Sequence, residues 1–348
     1  MSQFINARDA LVTEAIDGTL RSAGDRLARL DGYPHIRVVL RTDWDKSRVA
    51  LISGGGSGHE PSHAGFVGQG MLTAAVCGDV FASPSVDAVL AAILSVTGKA
   101  GCLLIVKNYT GDRLNFGLAA ERARAYGHDV SMVVVDDDVA LPDLPQARGV
   151  AGTLFVHKIA GALAEDGADL GTVTVTAEKA IAGMGSIGMS LDTCTVPGSP
   201  KQNRISAGKA ELGLGIHGEP GIEQVPFDGA GAAMAMVADR LAPVMGDGPH
   251  VALLNNLGGT TPLEMAVLAE ELVRSRIGGQ IAMMIGPAPL MTSLDMQGFS
   301  VSVLPLDEAT KAALCAPVAP VAWPGCAQVG DVRVLPLPDG LTPIQPMP

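Results

Sequence analysis

Aromatic residues make up only 3% of this 348-residue chain, and several other features that commit a protein to a functional class are equally thin. With so few rings, successive bases find no stacking platform, which argues against single-stranded nucleic acid. Lysine and arginine form no cluster, and the formal net charge of -12 disfavours both phosphate backbones and anionic membrane surfaces. No apolar run reaches the roughly eighteen residues of a membrane-spanning helix. The opening residues, Met1-Ser-Gln-Phe-Ile-Asn-Ala-Arg-Asp9, lack the charged-then-apolar order of a signal peptide, so a soluble, cytoplasmic protein is expected. The cysteines, Cys77, Cys102, Cys194, Cys315 and Cys326, include no CxxC pair and read as reduced core thiols rather than a zinc site or a disulfide framework.

What is plentiful is small or aliphatic. Hydrophobic residues make up 47%, charged residues 17%, and there are 43 glycines, so a large core must be filled by Val, Leu, Ile, Ala and Met. The length favours two α/β units over one. Three segments each read as a short strand running into a polar loop: Val49–Ile52 into a glycine loop, Cys102–Val106 into Lys107–Asp112, and Val130–Val135 into Asp136–Asp138. Ser83-Pro84 offers a helix start, followed by Val86, Val89, Leu90, Ile93 and Leu94 at helical spacing and closed by Gly98. A second helix is expected from about Arg113 to Tyr126, ended by Gly127. Alternating strands and helices imply parallel pairing through right-handed crossovers, which brings all three loops to one edge of one sheet. His59, Lys107 and Asp112 then share that edge.

Small residues, glycine and proline collect between 183 and 204 and mark a boundary. Beyond it, Val251–Leu254 reads as a strand, and Thr261-Pro-Leu-Glu264 has capping-box spacing. The expected architecture is two α/β domains: 1–186, with a largely parallel sheet flanked by helices, and 187–330, a smaller α/β sandwich. A proline-rich, extended tail occupies 331–348.

The loop Ser53-Gly-Gly-Gly-Ser-Gly-His-Glu-Pro-Ser-His63 fails the familiar templates. It lacks the Gly-Lys-Ser/Thr of a phosphate-binding loop, has His59 where a dinucleotide fingerprint needs glycine, and breaks the G-x-S-x-G elbow at the same residue. Matches to G-x-G-x-x-G at Gly183–Gly188 and Gly213–Gly218 are expected by accident in so glycine-rich a chain, and the first follows a helix. What remains is bare backbone able to approach hydroxyl or phosphoryl oxygens, with a histidine beside it. Taken singly, His59 also fits a hydrogen-bonded loop residue, His63 a packing role, Asp112 a helix cap and Lys107 a snorkelling side chain. His59 and His63 stand four apart, but Pro61 disfavours the helix that would align them on a metal, so none is expected. His217, in Glu211-Leu-Gly-Leu-Gly-Ile-His-Gly-Glu-Pro-Gly221, has glycines close on both sides. A neutral imidazole there can add to a ketone carbon as a hemiaminal, while a turn histidine or a metal ligand are the other readings.

Five stretches, taken together, resemble the dihydroxyacetone-binding subunit or domain of dihydroxyacetone kinases. They are Leu51–Pro61, Gly78–Pro84, Ile105–Phe116, Gly149–Thr153 and Gly215–Gly221, and the likeness runs to about residue 325. The resemblance implies covalent capture of the substrate carbonyl by His217. It implies that Gly56, Ser57, Gly58, Lys107 and Asp112 line the triose, with His59 and Asp112 as acid–base or hydrogen-bonding partners. Complete kinases of this family continue into a helical nucleotide-binding domain, whereas this sequence ends at Pro348 with no recognisable donor site. A separate helical subunit carrying ATP, or ADP recharged by a phosphotransferase-system protein, together with Mg2+, is therefore expected as partner, and this chain is expected to bind no cofactor. A homodimer is expected by resemblance. The alternatives are a kinase subunit for another small ketose such as erythrulose, or a triose-sensing module that contacts a transcription regulator.

Overall fold

The computed structural model describes residues 3–32, 34–140 and 147–338. Its first part runs α1 (Leu11–Ala23), β1 (Leu27–Arg29), β2 (Val38–Arg41), β3 (Ala50–Ser57), β4 (Ala74–Val80), α2 (Val86–Val96), β5 (Cys102–Lys107), α3 (Thr110–Ala125) and β6 (Val130–Val135). These strands form a six-stranded sheet in the order β1-β2-β4-β3-β5-β6, parallel from β4 to β6 and antiparallel at β1 and β2. Two helices, α4 (Thr153–Glu165) and α5 (Leu170–Gly183), lead away from it. Then come β7 (Gly185–Ser190), β8 (Lys209–Leu212), β9 (Glu223–Pro226), α6 (Ala230–Leu241), β10 (His250–Asn256), α7 (Pro262–Arg274), β11 (Ile281–Ala288), β12 (Gly298–Pro305), α8 (Glu308–Cys315) and β13 (Cys326–Gln328). The second sheet has seven strands in the order β13-β11-β10-β12-β7-β8-β9, and only its β10–β11 pair is parallel.

Alternation along the strands explains the layering. Leu51, Leu103 and Ile105 point to one core while Ile52, Leu104 and Val106 point to another, packed under α2 and α3. Likewise Val251 and Leu253 face the first core, and Ala252 and Leu254 face a third under α6 and α7. With both faces buried, these strands read as unbroken apolar runs. The shared first core holds α4, which is buried along nearly its whole length, together with α5 and residues of α8. The order of layers is therefore helices, sheet, helices, sheet, helices.

Several local expectations shift. The glycine run is strand as far as Ser57, since β3 pairs with β4 through Gly54, Gly55 and Ser57. The cap of α2 is Ser85, whose Oγ accepts from the Ala88 N–H at 3.2 Å, rather than Ser83. Helix α3 starts at Thr110, so Asp112 lies inside its first turn and not at the cap. The capping box of α7 is present at Thr261 and Glu264, with Pro262 as first residue. Residues 331–338 form no helix or strand and are exposed, and the rest of the expected tail lies outside the described residues. Among the described residues, no helix is long and apolar enough to cross a membrane.

Candidate active site between the two sheets

β3, β4 and β5 deliver His59, Phe81 and Lys107 just at or beyond their carboxyl ends, and the first turn of α3 brings Asp112 alongside. His217 comes from the other sheet, on the loop between β8 and β9. The Arg148 guanidinium braces that loop by donating to the Gly213 carbonyl at 2.7 Å while pairing with Asp138. The rings meet closely. Centroids of His217 lie 4.8 Å from His59, 4.5 Å from Tyr109 and 5.3 Å from Phe81, all edge-on, and Phe81 stacks on His59 at 5.2 Å.

Hydrogen bonds fix the ring tautomers. The His59 Nδ1–H donates to the Thr292 carbonyl at 2.8 Å, which leaves Nε2 as a lone-pair nitrogen with no protein partner. Burial, then the neighbouring His217 and Lys107, hold the His59 pKa well below the usual histidine range, so the ring is neutral. His217 donates from Nδ1 to Glu219 Oε1 at 3.0 Å, and its backbone N–H donates to Glu219 Oε2 at 2.9 Å. Burial opposes ionisation of Glu219, but these bonds and the His217 ring outweigh it and lower its pKa, so it accepts. The lone-pair nitrogen of His217 is therefore Nε2. Its side chain is 18% exposed, whereas His59 is completely buried.

A second group lies deeper. Lys107 Nζ donates to His63 Nε2 at 2.7 Å and to the Gly54 carbonyl at 3.2 Å, and His157 stands edge-on to His63 at 5.1 Å. At Gly55, where φ is +153°, an added Cβ would lie 2.6 Å from Lys107 Nζ and 3.5 Å from Asp112 Oδ2. Both charged groups thus crowd one bare Cα. Asp112 Oδ1 and the Tyr109 hydroxyl are buried without a protein partner, as is His59 Nε2. Burial, and then the Glu219 charge, raise the Tyr109 pKa well above the usual phenol value, so that hydroxyl keeps its proton. Two acceptors and one donor in the same cluster are left for a small polar guest, since orphaned buried groups are costly.

The structure thus gathers His59, Lys107, Asp112 and His217. Gly56 lies against the Phe81 backbone, the Ser57 hydroxyl donates to the Gly78 carbonyl at 2.8 Å, and the Gly58 N–H donates to Glu60 Oε2 at 2.9 Å. The Ser57 hydroxyl and the Gly58 N–H are thus engaged within the protein. Phe81, Tyr109, Glu219 and Thr292 went unnoticed in the sequence. The first three stand inside the quoted motif stretches, and two of them are aromatic in a chain with only 7 Phe and 3 Tyr. Among the described residues, no group of three or more His, Cys, Asp or Glu side chains is placed to hold a metal ion.

The Dak1 domain family matches residues 18–322. A dihydroxyacetone kinase from Citrobacter freundii is 52% identical over 93% of this chain and 59% of its own length. The crystal structure of that kinase superposes with a TM-score of 0.95, covering 99% of this chain and 64% of the crystallised one at 48% identity. This chain thus spans about three-fifths of the length of that longer kinase. The dihydroxyacetone-binding subunit of a phosphotransferase-dependent dihydroxyacetone kinase from Listeria innocua is 41% identical over 93% of this chain and 100% of its own. A co-activator of a dihydroxyacetone kinase operon is 30% identical, with a TM-score of 0.82 over 90% of this chain and 98% of its own. By sequence and by fold, this chain belongs to the Dak1 family, alongside dihydroxyacetone kinases and their dihydroxyacetone-binding subunits.

Proposed function

We propose that this chain is the substrate-binding part of a dihydroxyacetone kinase and that it holds the ketone covalently on His217. The supporting observation is the pairing of His217 with Glu219, which leaves Nε2 as a nucleophile beside three buried polar atoms that lack partners. Nε2 bonds to the carbonyl carbon, the carbonyl π pair moves to oxygen, and that oxygen takes a proton from solvent. The positive charge left on the ring sits against the Glu219 carboxylate. Glycerol, which has no carbonyl carbon, cannot be held this way.

Asp112 Oδ1 accepts the proton of the terminal hydroxyl as that oxygen attacks the donor phosphorus, and the tether fixes its position beforehand. His59 Nε2 accepts a hydrogen bond from the other hydroxyl. The donor, ATP or a recharged ADP with Mg2+, supplies the phosphoryl group from a separate helical subunit or a fused domain. Gly56, Ser57, Gly58 and Lys107 line the triose, and the assembly is a homodimer. Intact-mass measurement with dihydroxyacetone is expected to show one triose adduct, absent in His217→Ala. Asp112→Asn is expected to keep the adduct and lose turnover by roughly a hundredfold or more, and wild-type turnover in that variant would remove the role given to Asp112.

A second reading, a triose sensor, is favoured by the 30% identity to an operon co-activator. It predicts the same adduct but no phosphorylation with any reconstituted donor. Erythrulose belongs in the same assay, because the tether accepts any small ketone.

A further inference from the structure

His63 sits two residues past Pro61 and reads from sequence as packing, yet its ring is bonded to the one lysine at the site. Lys107 is 1% exposed, and an ammonium offers three protons but accepts none. With the ammonium donating at 2.7 Å, His63 Nε2 carries the lone pair and the ring proton falls on Nδ1, which is buried without a protein partner. The Gly54 carbonyl takes a second lysine proton at 3.2 Å. We propose that His63 is a positioning residue: its neutral ring, backed by His157, pins Lys107 in its charged form against Gly55 and leaves one ammonium proton for an oxygen of the bound ketose. The inference rests on the reading of the site as a ketose pocket.

The charges around Lys107 are few. Asp112 on α3 is the carboxylate that favours its ammonium, His63 follows β3, His157 lies on α4, and His59 feels its charge from above. Burial, then Lys107, depress both His63 and His157, the latter to about 3. Both rings therefore stay neutral at working pH: His63 accepts from the lysine, and His157 stands edge-on behind His63 with no hydrogen bond of its own. Burial also lowers Lys107 itself. A lone pair at 2.7 Å opposes that loss, because a hydrogen bond to the charged form favours it. Gly55 bounds the remaining side, since a Cβ there would come within 2.6 Å of Nζ.

The test compares His63→Leu with His63→Gln, whose side-chain carbonyl can still accept. In His63→Leu, the alkaline fall of kcat/KM for dihydroxyacetone is expected to move about one pH unit or more toward neutrality, with roughly a tenfold loss. His63→Gln is expected to restore most of the limb. A wild-type limb in His63→Leu overturns the role of His63, and so does equal loss in both variants. A wild type that forms no triose adduct and phosphorylates nothing instead overturns the ketose reading. Should His63→Leu fail to fold, 15N NMR of the wild-type imidazoles decides: a protonated Nδ1 on His63 is expected, and a protonated Nε2 overturns the inference whatever the activity.

Discussion

At the scale of single residues, Gly55 is where one methyl group does most damage. Its φ of +153° and the 2.6 Å approach of Lys107 Nζ leave no room for a Cβ. Gly55→Ala is expected to displace the lysine and raise KM for dihydroxyacetone by roughly tenfold or more, with an unchanged circular dichroism spectrum. Glu219→Gln keeps the shape but leaves one carbonyl oxygen to serve both the ring and the backbone N–H of His217. Its adduct should form roughly ten- to a hundredfold more slowly, read by stopped-flow or timed mass spectrometry. Much of this site was legible: His59, Asp112 and His217 each stood beside glycine in a quoted motif, and Lys107 closed an aliphatic run. Glu219 was quoted too, but its role was invisible, because the direction of a side chain in a glycine-rich loop depends on backbone torsions that spacing does not reveal. The hydrogen bond of His63 was hidden for a related reason, since its partner, Lys107, ends a strand 44 residues along the chain.

Among the elements, legibility followed burial. β3, β5 and β6 announced themselves as aliphatic runs, whereas β4, Ala74-Ala-Val-Cys-Gly-Asp-Val80, hid behind small residues. Their β3 neighbour Gly54 is closely fitted too: a Cβ there would strike the Val76 carbonyl of β4 at 2.2 Å, so the two strands meet only with glycine at that position. The short edge strands β1 and β2 carried too few residues to show a period. Of the caps, the one on α7 was readable, whereas that on α2 fell two residues later than expected. Thr261 and Glu264 close the capping box of α7, whose N-terminus is exposed and lies on the second sheet's outer layer. Thr261→Ala is expected to lower the unfolding free energy by about 1 kcal/mol in urea titration, without altering adduct formation.

For the whole molecule, the buried histidines set the acid limit. His59, His63 and His157 are neutral in the fold, with pKa values held below the usual histidine range by burial, so the unfolded chain binds their protons first as pH falls. Their contribution is complete above about pH 6.5 and is lost on acidification, at about 1.4 kcal/mol per pH unit for each histidine. Asp137, pushed up to about 6 by burial, acts in the opposite sense between the usual aspartate range and pH 6. His157→Leu, which touches no part of the proposed chemistry directly, should reduce the slope of stability between pH 6 and pH 4 by about one proton, measured by denaturation at each pH.

The stretch Gly58–Ser62 is laced to Leu290–Leu294: Leu294 N–H to the Gly58 carbonyl at 2.9 Å, Thr292 N–H to that of His59 at 3.2 Å, and Ser62 Oγ to that of Leu290 at 2.8 Å. One edge of this seam belongs to each sheet. The candidate site consequently has no melting point of its own. Heat that parts the sheets also strips His59 of the carbonyl that orients it, so catalytic competence and global order should vanish in a single transition.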